Sequence, residues 1–432
     1  MYARLASTQQ QPAVRVAMTL NHRPKVAYIM SRFPKITETF ILYEMLAVEA
    51  QGVQVEVYPL LRERTTVIHP EAAAFVERAH FQPFVSWPIL RAHLHFLTRK
   101  PLVYLSTLWT LLRANFGSLR YFTGALGIFP KAVYFADLMA GEGITHVHAH
   151  FASHPAAAGF IIHRLASLPY SFTAHGSDLH RDRHMLREKV AEAAFVVTIS
   201  NYNKEIIVAE CGEQFRDQVL VIHCGVDTQV FRSRSEDWWQ KRPARPFTLI
   251  CIGTLHEVKG QTYLIEACRL LRDRGISFVC QLVGDGPDEV ALAQQIAQAG
   301  LSEHVRLLGR RTREQVAELL AQADIAVAPS VPTKDGRREG IPVALMEAMG
   351  SGVPVVAGNL SGIPELVEHE RGGLLVPPRD AQALADALER LYIDPGLCQR
   401  LGQAGREKVL REFDLRPNAA TLTHHFSQEA RR

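Results

Sequence analysis

The chain has 432 residues, of which 47% are hydrophobic and 21% charged, with a formal charge of +4. That length exceeds one ordinary core and suits two domains, and so mild a charge gives no ground for a nucleic-acid partner. The six cysteines (Cys211, Cys224, Cys251, Cys268, Cys280 and Cys398) form no C-x-x-C pair and no disulfide ladder, which points to a reducing compartment.

Residues 1–24 hold a glutamine run at Gln9 to Gln11 and no apolar h-region, so they read as a flexible tail rather than a secretory signal. No segment reaches the ~18 uninterrupted apolar residues of a membrane span, and the expected location is cytoplasmic. A strand over Lys25 to Met30, a loop over Ser31 to Thr39, a helix over Phe40 to Gln51 and a strand over Val53 to Tyr58 make a βαβ unit with a parallel sheet.

From Gln82 to Ala136 there is no Asp or Glu. Arg91, Arg99, Lys100, Arg113, Arg120 and Lys131 are interleaved there with Trp87, Phe96, Tyr104, Trp109, Phe116 and Tyr121. Such a mixture suits helices lying in a lipid headgroup interface, which implies peripheral attachment to the inner face of the plasma membrane through 82–136. Ordinary core helices with solvated basic edges are the other reading.

Strands resume at Thr145 to Phe151, Tyr170 to Ala174, Phe195 to Ser200 and Val219 to His223. His146, His148 and His150 alternate along the first of these and share a face, with His154 nearby. A zinc site is one reading of them; a histidine cluster at a strand end is the other, and no metal is expected to be required. The charged, Trp- and Pro-bearing stretch 232–246 reads as a linker, dividing the chain into 25–235 and 236–412, with 413–432 as a terminal segment.

The second half alternates strand and helix: Thr248 to Gly253, Gln261 to Arg274, Ser277 to Val283, Glu289 to Ala299, Arg306 to Leu308, Arg313 to Ala323, Asp324 to Ala328, Val343 to Met349, Pro354 to Ala357 and Ala381 to Ile393. Two successive doubly wound α/β domains facing across a cleft are expected, with ligands beyond the carboxyl ends of the strands. The run Glu339-Gly340-Ile341-Pro342 before the helix with Glu347 is the strongest signal. Gly340 permits close approach of the backbone, and the helix start offers free amides to a diphosphate. Glu347 is placed to bind ribose hydroxyls and Glu339 hydroxyls of a sugar. Lys259 is placed to balance a diphosphate, Gly284 lies in a turn at a strand end, and Arg310 follows another strand and is placed to border a base. Lys334, Arg337 and Arg338 read as an anion-binding loop or as a solvated one.

From about Phe247 to Phe413 the chain resembles the retaining glycosyltransferases of family 4, which have the GT-B fold. Glu339-x7-Glu347, Lys259-Gly260, the run 283–287, the run 349–357 and the run 373–377 carry the resemblance. The first half looks like the branch that builds bacterial exopolysaccharides of the colanic-acid type, through the runs 31–34, 38–40, 148–151 and 173–178. The resemblance implies a nucleotide-sugar donor, uridine- or guanosine-linked, and a lipid-linked saccharide acceptor. It implies that Glu339 contacts the donor sugar, Glu347 the ribose, Lys259 the leaving diphosphate, and Gly340 and Ile341 present amides to sugar and phosphates. His175 would face the donor sugar across the cleft. The last segment would be a helix returning to the first domain.

The chain departs from the family twice. Thr254 stands where an arginine is usual, so that contact is missing or is supplied elsewhere, for example by Arg310 or Arg32, and Ile36 and Thr37 stand where paired glycines are frequent. No Asp-x-Asp pair occurs, so metal-dependent transfer is poorly supported. A sugar-nucleotide epimerase, a phosphorylase, and a non-catalytic sensor or scaffold are the rival readings. An epimerase leaves the basic aromatic stretch unexplained, and no pyridoxal lysine motif marks a phosphorylase.

Overall fold

The computed structural model describes residues 23–35, 38–64, 69–235, 238–239 and 245–431. The expected tail over 1–22, the residues Ile36 and Thr37, and most of the linker between 236 and 244 lie outside the described residues.

The first domain opens with β1 (Lys25–Phe33), α1 (Thr39–Ala50), β2 (Gln54–Arg62) and α2 (Ala73–Glu77). Three longer helices follow: α3 (Trp87–Arg99), α4 (Pro101–Ala114) and α5 (Leu119–Gly141). The domain then alternates through β3 (His146–His150), α6 (His154–Ala166), β4 (Tyr170–Ala174), α7 (Ser177–His180), α8 (Leu186–Glu192), β5 (Phe195–Thr198), α9 (Asn201–Cys211) and β6 (Val219–Val221). The second domain runs from β7 (Phe247–Ile252), α10 (Gln261–Asp273), β8 (Phe278–Val283), α11 (Glu289–Gln298) and β9 (Val305–Gly309) to α12 (Arg313–Gln322), β10 (Ile325–Ala328) and α13 (Val343–Gly350). It closes with β11 (Val355–Gly358), α14 (Ile363–Leu366), β12 (Leu374–Val376), α15 (Ala381–Ile393) and α16 (Pro395–Glu412), before α17 (Leu415–Glu429).

Each domain is built on a six-stranded sheet, ordered β2-β1-β3-β4-β5-β6 and β12-β11-β10-β7-β8-β9, and every pairing in them is parallel. Helices cover both faces, which is why the strands read as near-continuous apolar runs. Val26, Ala27, Val147 and Ala149 are wholly buried. β1 extends beyond the expected Met30 because Arg32 and Phe33 keep pairing with Leu61 and Arg62, and Phe33 buries its ring.

The acid-free stretch forms α3, α4 and most of α5, and these helices have one buried and one exposed face. Ala92, Phe96, Leu111 and Ala125 turn inward and join the core of the first domain. Lys131, counted among its surface cations from sequence, is instead buried and donates to the Leu60 carbonyl at 2.6 Å. Its outer face is apolar, as described below.

Contacts at two ends of the interface tie the domains together, among others. The Glu365 carboxylate of α14 accepts the backbone N–H of Asn201 and of Tyr202, each at 2.7 Å, at the start of α9. A carboxylate there satisfies orphan amides and meets the positive end of the helix dipole. At the other end of the chain, α17 crosses back to α1, and Phe426 packs against Tyr28, His146 and Phe195 of the first sheet.

Candidate functional site

In the second sheet the chain steps outward from β7 to β9 and then restarts on the other side of β7 with β10. The connections therefore diverge beyond the carboxyl ends of β7 and β10, and a crevice opens there. Gly253 and Thr254 follow β7. Lys259 ends a short turn before α10 and is held close to the end of β10 by Gly260, whose φ is +70° and where a Cβ would lie 1.9 Å from the Pro329 carbonyl oxygen. No side chain fits at Gly260 without displacing that strand end.

Lys259 Nζ sits 2.6 Å from Glu339 Oε2, with both side chains largely shielded from water. The cation and the carboxylate singled out from sequence thus meet across the crevice. Ile341 buries its side chain beside them. Gly340 has a different neighbour from the expected ligand: a Cβ there would lie 2.8 Å from the His175 carbonyl oxygen of the first domain. The glycine lets the two domains touch.

Beside this pair a cavity of about 580 Å³ is lined by Thr254, Gly284, Arg310, Arg313 and Glu347 of the second domain and by Tyr43 of the first. Glu347 lies on α13. Burial pushes its carboxyl up to about 7, against the pull of the Arg313 guanidinium. Arg310 holds Asp285 through both carboxylate oxygens, at 3.1 and 2.8 Å, so its charge is already met in part. Arg32, the other stand-in for the missing arginine, lines a separate small pocket with Met30, Phe33 and Met45.

Arg313 escaped the sequence reading. Its guanidinium lies 3.9 Å from the centre of the Tyr43 ring and 5.7 Å from that of Phe231, and 3.6 Å from Asp227. Tyr43 is on the first domain's α1, so this cation links both domains at the cavity. Only the folded chain brings the two residues together.

The first domain presents the end of β4. The Asp178 carboxylate accepts the N–H of His175 and of Gly176 at 3.0 and 2.8 Å and fixes this loop. His175, expected to face the donor sugar across the cleft, directly follows β4. It is 8% exposed, its Nε2 lies 3.0 Å from His150 Nδ1, and Phe40 and Phe151 pack on it. Its carbonyl oxygen faces Gly340.

The histidines of β3 are all buried. His146 and His148 bond to Ser171, and His148 also to Thr173, at 2.7 to 3.0 Å. Glu44, His148 and His150 bring possible ligand atoms within 4.8 Å of one another, yet the ring nitrogens of both histidines already have partners within the protein. His154 stands apart, stacked on Tyr121 of α5. Of the basic loop, Arg337 reaches His256 at 3.1 Å and Arg338 reaches the Tyr202 hydroxyl at 3.2 Å, while Lys334 is exposed.

Comparison with known proteins adds an independent line. Residues 37–230 match the model described as Glycosyltransferase Family 4, and residues 234–408 the model described as Glycosyl transferases group 1. WcaL of Escherichia coli K12, which carries the name of a colanic acid biosynthesis glycosyltransferase, is 31% identical over 405 residues, covering 90% of this chain and 96% of its own. The amylovoran biosynthesis glycosyltransferase AmsK of Erwinia amylovora is 36% identical over 248 residues, 56% of this chain and 59% of its own. Among solved structures, Anabaena HepE in complex with UDP shares the fold, with a TM-score of 0.69 at 19% identity over 94% of this chain and all of that one. The chain belongs to glycosyltransferase family 4, and it is a glycosyltransferase with two Rossmann-like domains in the GT-B arrangement.

Proposed function

We propose that this family 4 glycosyltransferase moves a sugar, with retention of configuration, from a uridine- or guanosine-diphosphate sugar to a lipid-linked saccharide during assembly of a surface or exopolysaccharide. The observation that carries the reading is the Lys259–Glu339 pair at the switch point of the second sheet, next to the cavity that holds Glu347. The names of WcaL and AmsK support the pathway class, and UDP in HepE supports a nucleotide donor.

The nucleotide lies in the cavity with its ribose hydroxyls donating to Glu347. Its diphosphate lies over Lys259 and the backbone amides at Gly340 and Ile341. The bond from the anomeric carbon to the phosphate oxygen breaks, and the acceptor oxygen bonds the same face of that carbon. The acceptor proton passes to the departing phosphate oxygen, so the enzyme supplies no nucleophile. The leaving charge is met by Lys259 and the amides at the start of α13, a preorganised cradle. Lys259 takes the place of a metal ion in this scheme. As the bond to the anomeric carbon breaks ahead of the proton transfer, negative charge gathers on the departing phosphate oxygen, so its attraction to Lys259 is strongest near the transition state.

The acceptor reading rests on the outer face of α3 and α4. Trp87, Leu102, Trp109, Phe116 and Leu119 are 67–82% exposed, and Leu90, Leu94 and Leu105 join them. Arg91, Arg99, Lys100, Arg113 and Arg120 are exposed around them. Apolar surface of this extent, ringed by cations and free of acids, suits an anionic lipid interface, where each cation contributes about 1 kcal/mol at low salt. No helix among the described residues is long and apolar enough to cross a membrane. In this reading the protein works at the cytoplasmic face of the membrane, attached through 82–136.

Co-sedimentation with phosphatidylglycerol-containing vesicles tests this. Binding is expected at low salt, to weaken as salt rises, and to be lost in the double variant Trp109→Glu, Phe116→Glu, while turnover on a water-soluble acceptor persists. Wild-type protein that stays in the supernatant at low salt contradicts the attachment. No observation favours the sensor, scaffold or epimerase readings.

A further inference from the structure

Five side chains of the first domain form a line of hydrogen bonds that the transfer chemistry above leaves unused. Tyr28 of β1 donates its hydroxyl to Glu44 Oε1 of α1 at 3.1 Å. The same oxygen lies 3.0 Å from His150 Nε2 at the end of β3. His150 Nδ1 lies 3.0 Å from His175 Nε2, and His175 Nδ1 lies 3.9 Å from Cys224 Sγ. Tyr28 and His150 are wholly buried. His148 packs against the line without branching it, since its nitrogens are committed to Ser171 and Thr173.

The donors and acceptors order the protons. Tyr28 is buried and holds its proton, so its hydroxyl donates and Glu44 Oε1 accepts. His150 must then offer Nε2–H to that oxygen. A neutral imidazole with Nε2–H carries its lone pair on Nδ1, which accepts Nε2–H of His175. His175 Nδ1 is consequently bare, and its one neighbouring donor is a thiol, a weak one. Had Glu44 been apolar, either tautomer of His150 and of His175 would satisfy the pair, and the ring of His175 would have no preferred proton.

We propose that Glu44 and His150 are positioning residues that fix His175 in its neutral Nε2–H form, so that its Nδ1 is an obligate acceptor and its carbonyl keeps one orientation against Gly340. The proposal rests on the reading that His175 serves the sugar-binding face of the cleft. Its effect is the one a carboxylate has on any functional histidine whose far nitrogen it holds: the ring is locked in one tautomer and one rotamer.

The test uses the full chain labelled with ¹⁵N-histidine, with the His175 resonances assigned by their loss in His175→Gln. The wild type is expected to show the Nε2–H pattern at His175. Glu44→Ala is expected to move His175 toward a mixture containing the Nδ1–H form and to lower kcat roughly 10–100-fold. The donor Kd should hold within a few-fold, since Lys259, Glu339 and Glu347 are untouched, and it reports that the variant is folded. His150→Gln keeps one acceptor and one donor on a single side chain and should recover most of the rate that His150→Leu loses. An Nδ1–H pattern in the wild type, or a His175 signal unmoved by Glu44→Ala, overturns the proposal. Full activity in His175→Gln together with the expected tautomer shift would leave the relay standing and instead remove His175 from the transfer reaction.

Discussion

Replacing Lys259 by alanine is expected to lower kcat by about 10²–10³-fold, the usual effect of removing one preorganised group aimed at charge that develops in the transition state. The expectation follows from where the side chain lies. Gly260 holds the Lys259 turn hard against the end of β10, and the ammonium sits 2.6 Å from Glu339 in the crevice between β7 and β10. Thr254 brings no charge to the same crevice, and Arg310 is already paired with Asp285. In this scheme the leaving-group charge is met by Lys259 together with the amides at the start of α13. Lys259→Arg keeps the charge and displaces it, and an intermediate rate is expected. Steady-state nucleotide release, with the unfolding midpoint measured alongside, checks this; an unchanged kcat in the folded alanine variant would remove Lys259 from the mechanism.

The second large effect belongs to Glu347. Burial raises its carboxyl to about 7, so near neutral pH the unliganded protein divides between the neutral and ionised forms. Ribose hydroxyls donate to the ionised form best. Donor affinity is therefore expected to rise with pH through about 7. Glu347→Ala should weaken donor binding about 10–100-fold, as the loss of hydrogen bonds to a charged group does. The same shift makes a stability statement with a definite sign. Below the ordinary carboxylate range the side chain is protonated in both folded and unfolded states and its burial costs little. As pH rises toward 7 the unfolded chain ionises first, the folded state loses relative stability, and above 7 the loss is complete. Glu347→Gln should thus raise the unfolding midpoint of the unliganded protein at pH 8 but not at pH 4. Calorimetric titration of the donor and thermal unfolding, each across pH, provide the check. A flat pH dependence of donor affinity would mean that Glu347 does not hold the ribose.

Much of this site was legible because it is local. Glu339 and Glu347 flank a helix start, Lys259 closes a turn beside a glycine, and both lie just past a strand of apolar residues. Strand periodicity placed β7, β8, β10 and β11 to within a residue or so for the same reason: pattern and punctuation agree along a short stretch. What escaped depends on contacts across the fold. α6 is buried on nearly every side, so its sequence carries no amphipathic stripe to betray a helix. Arg313 acquires its role from Tyr43 and Asp227, which only folding brings near. The alternation of His146, His148 and His150 signalled a shared face, yet nothing in the sequence names Glu44 as the partner of His150, or His150 as the partner of His175. The basic aromatic stretch resisted a single reading because its helices are two-sided, with Phe96 and Leu111 packed inward and Trp87 and Trp109 outward.

The central claim is transfer from a nucleoside diphosphate sugar to a lipid-linked acceptor in the cleft. It is tested most directly by nucleotide release from a panel of uridine- and guanosine-diphosphate sugars, with and without a bacterial lipid extract, and with Glu347→Ala as the control. The account predicts release from one donor that rises with lipid and is lost in the variant. Donor binding with no release under any of these conditions would contradict it.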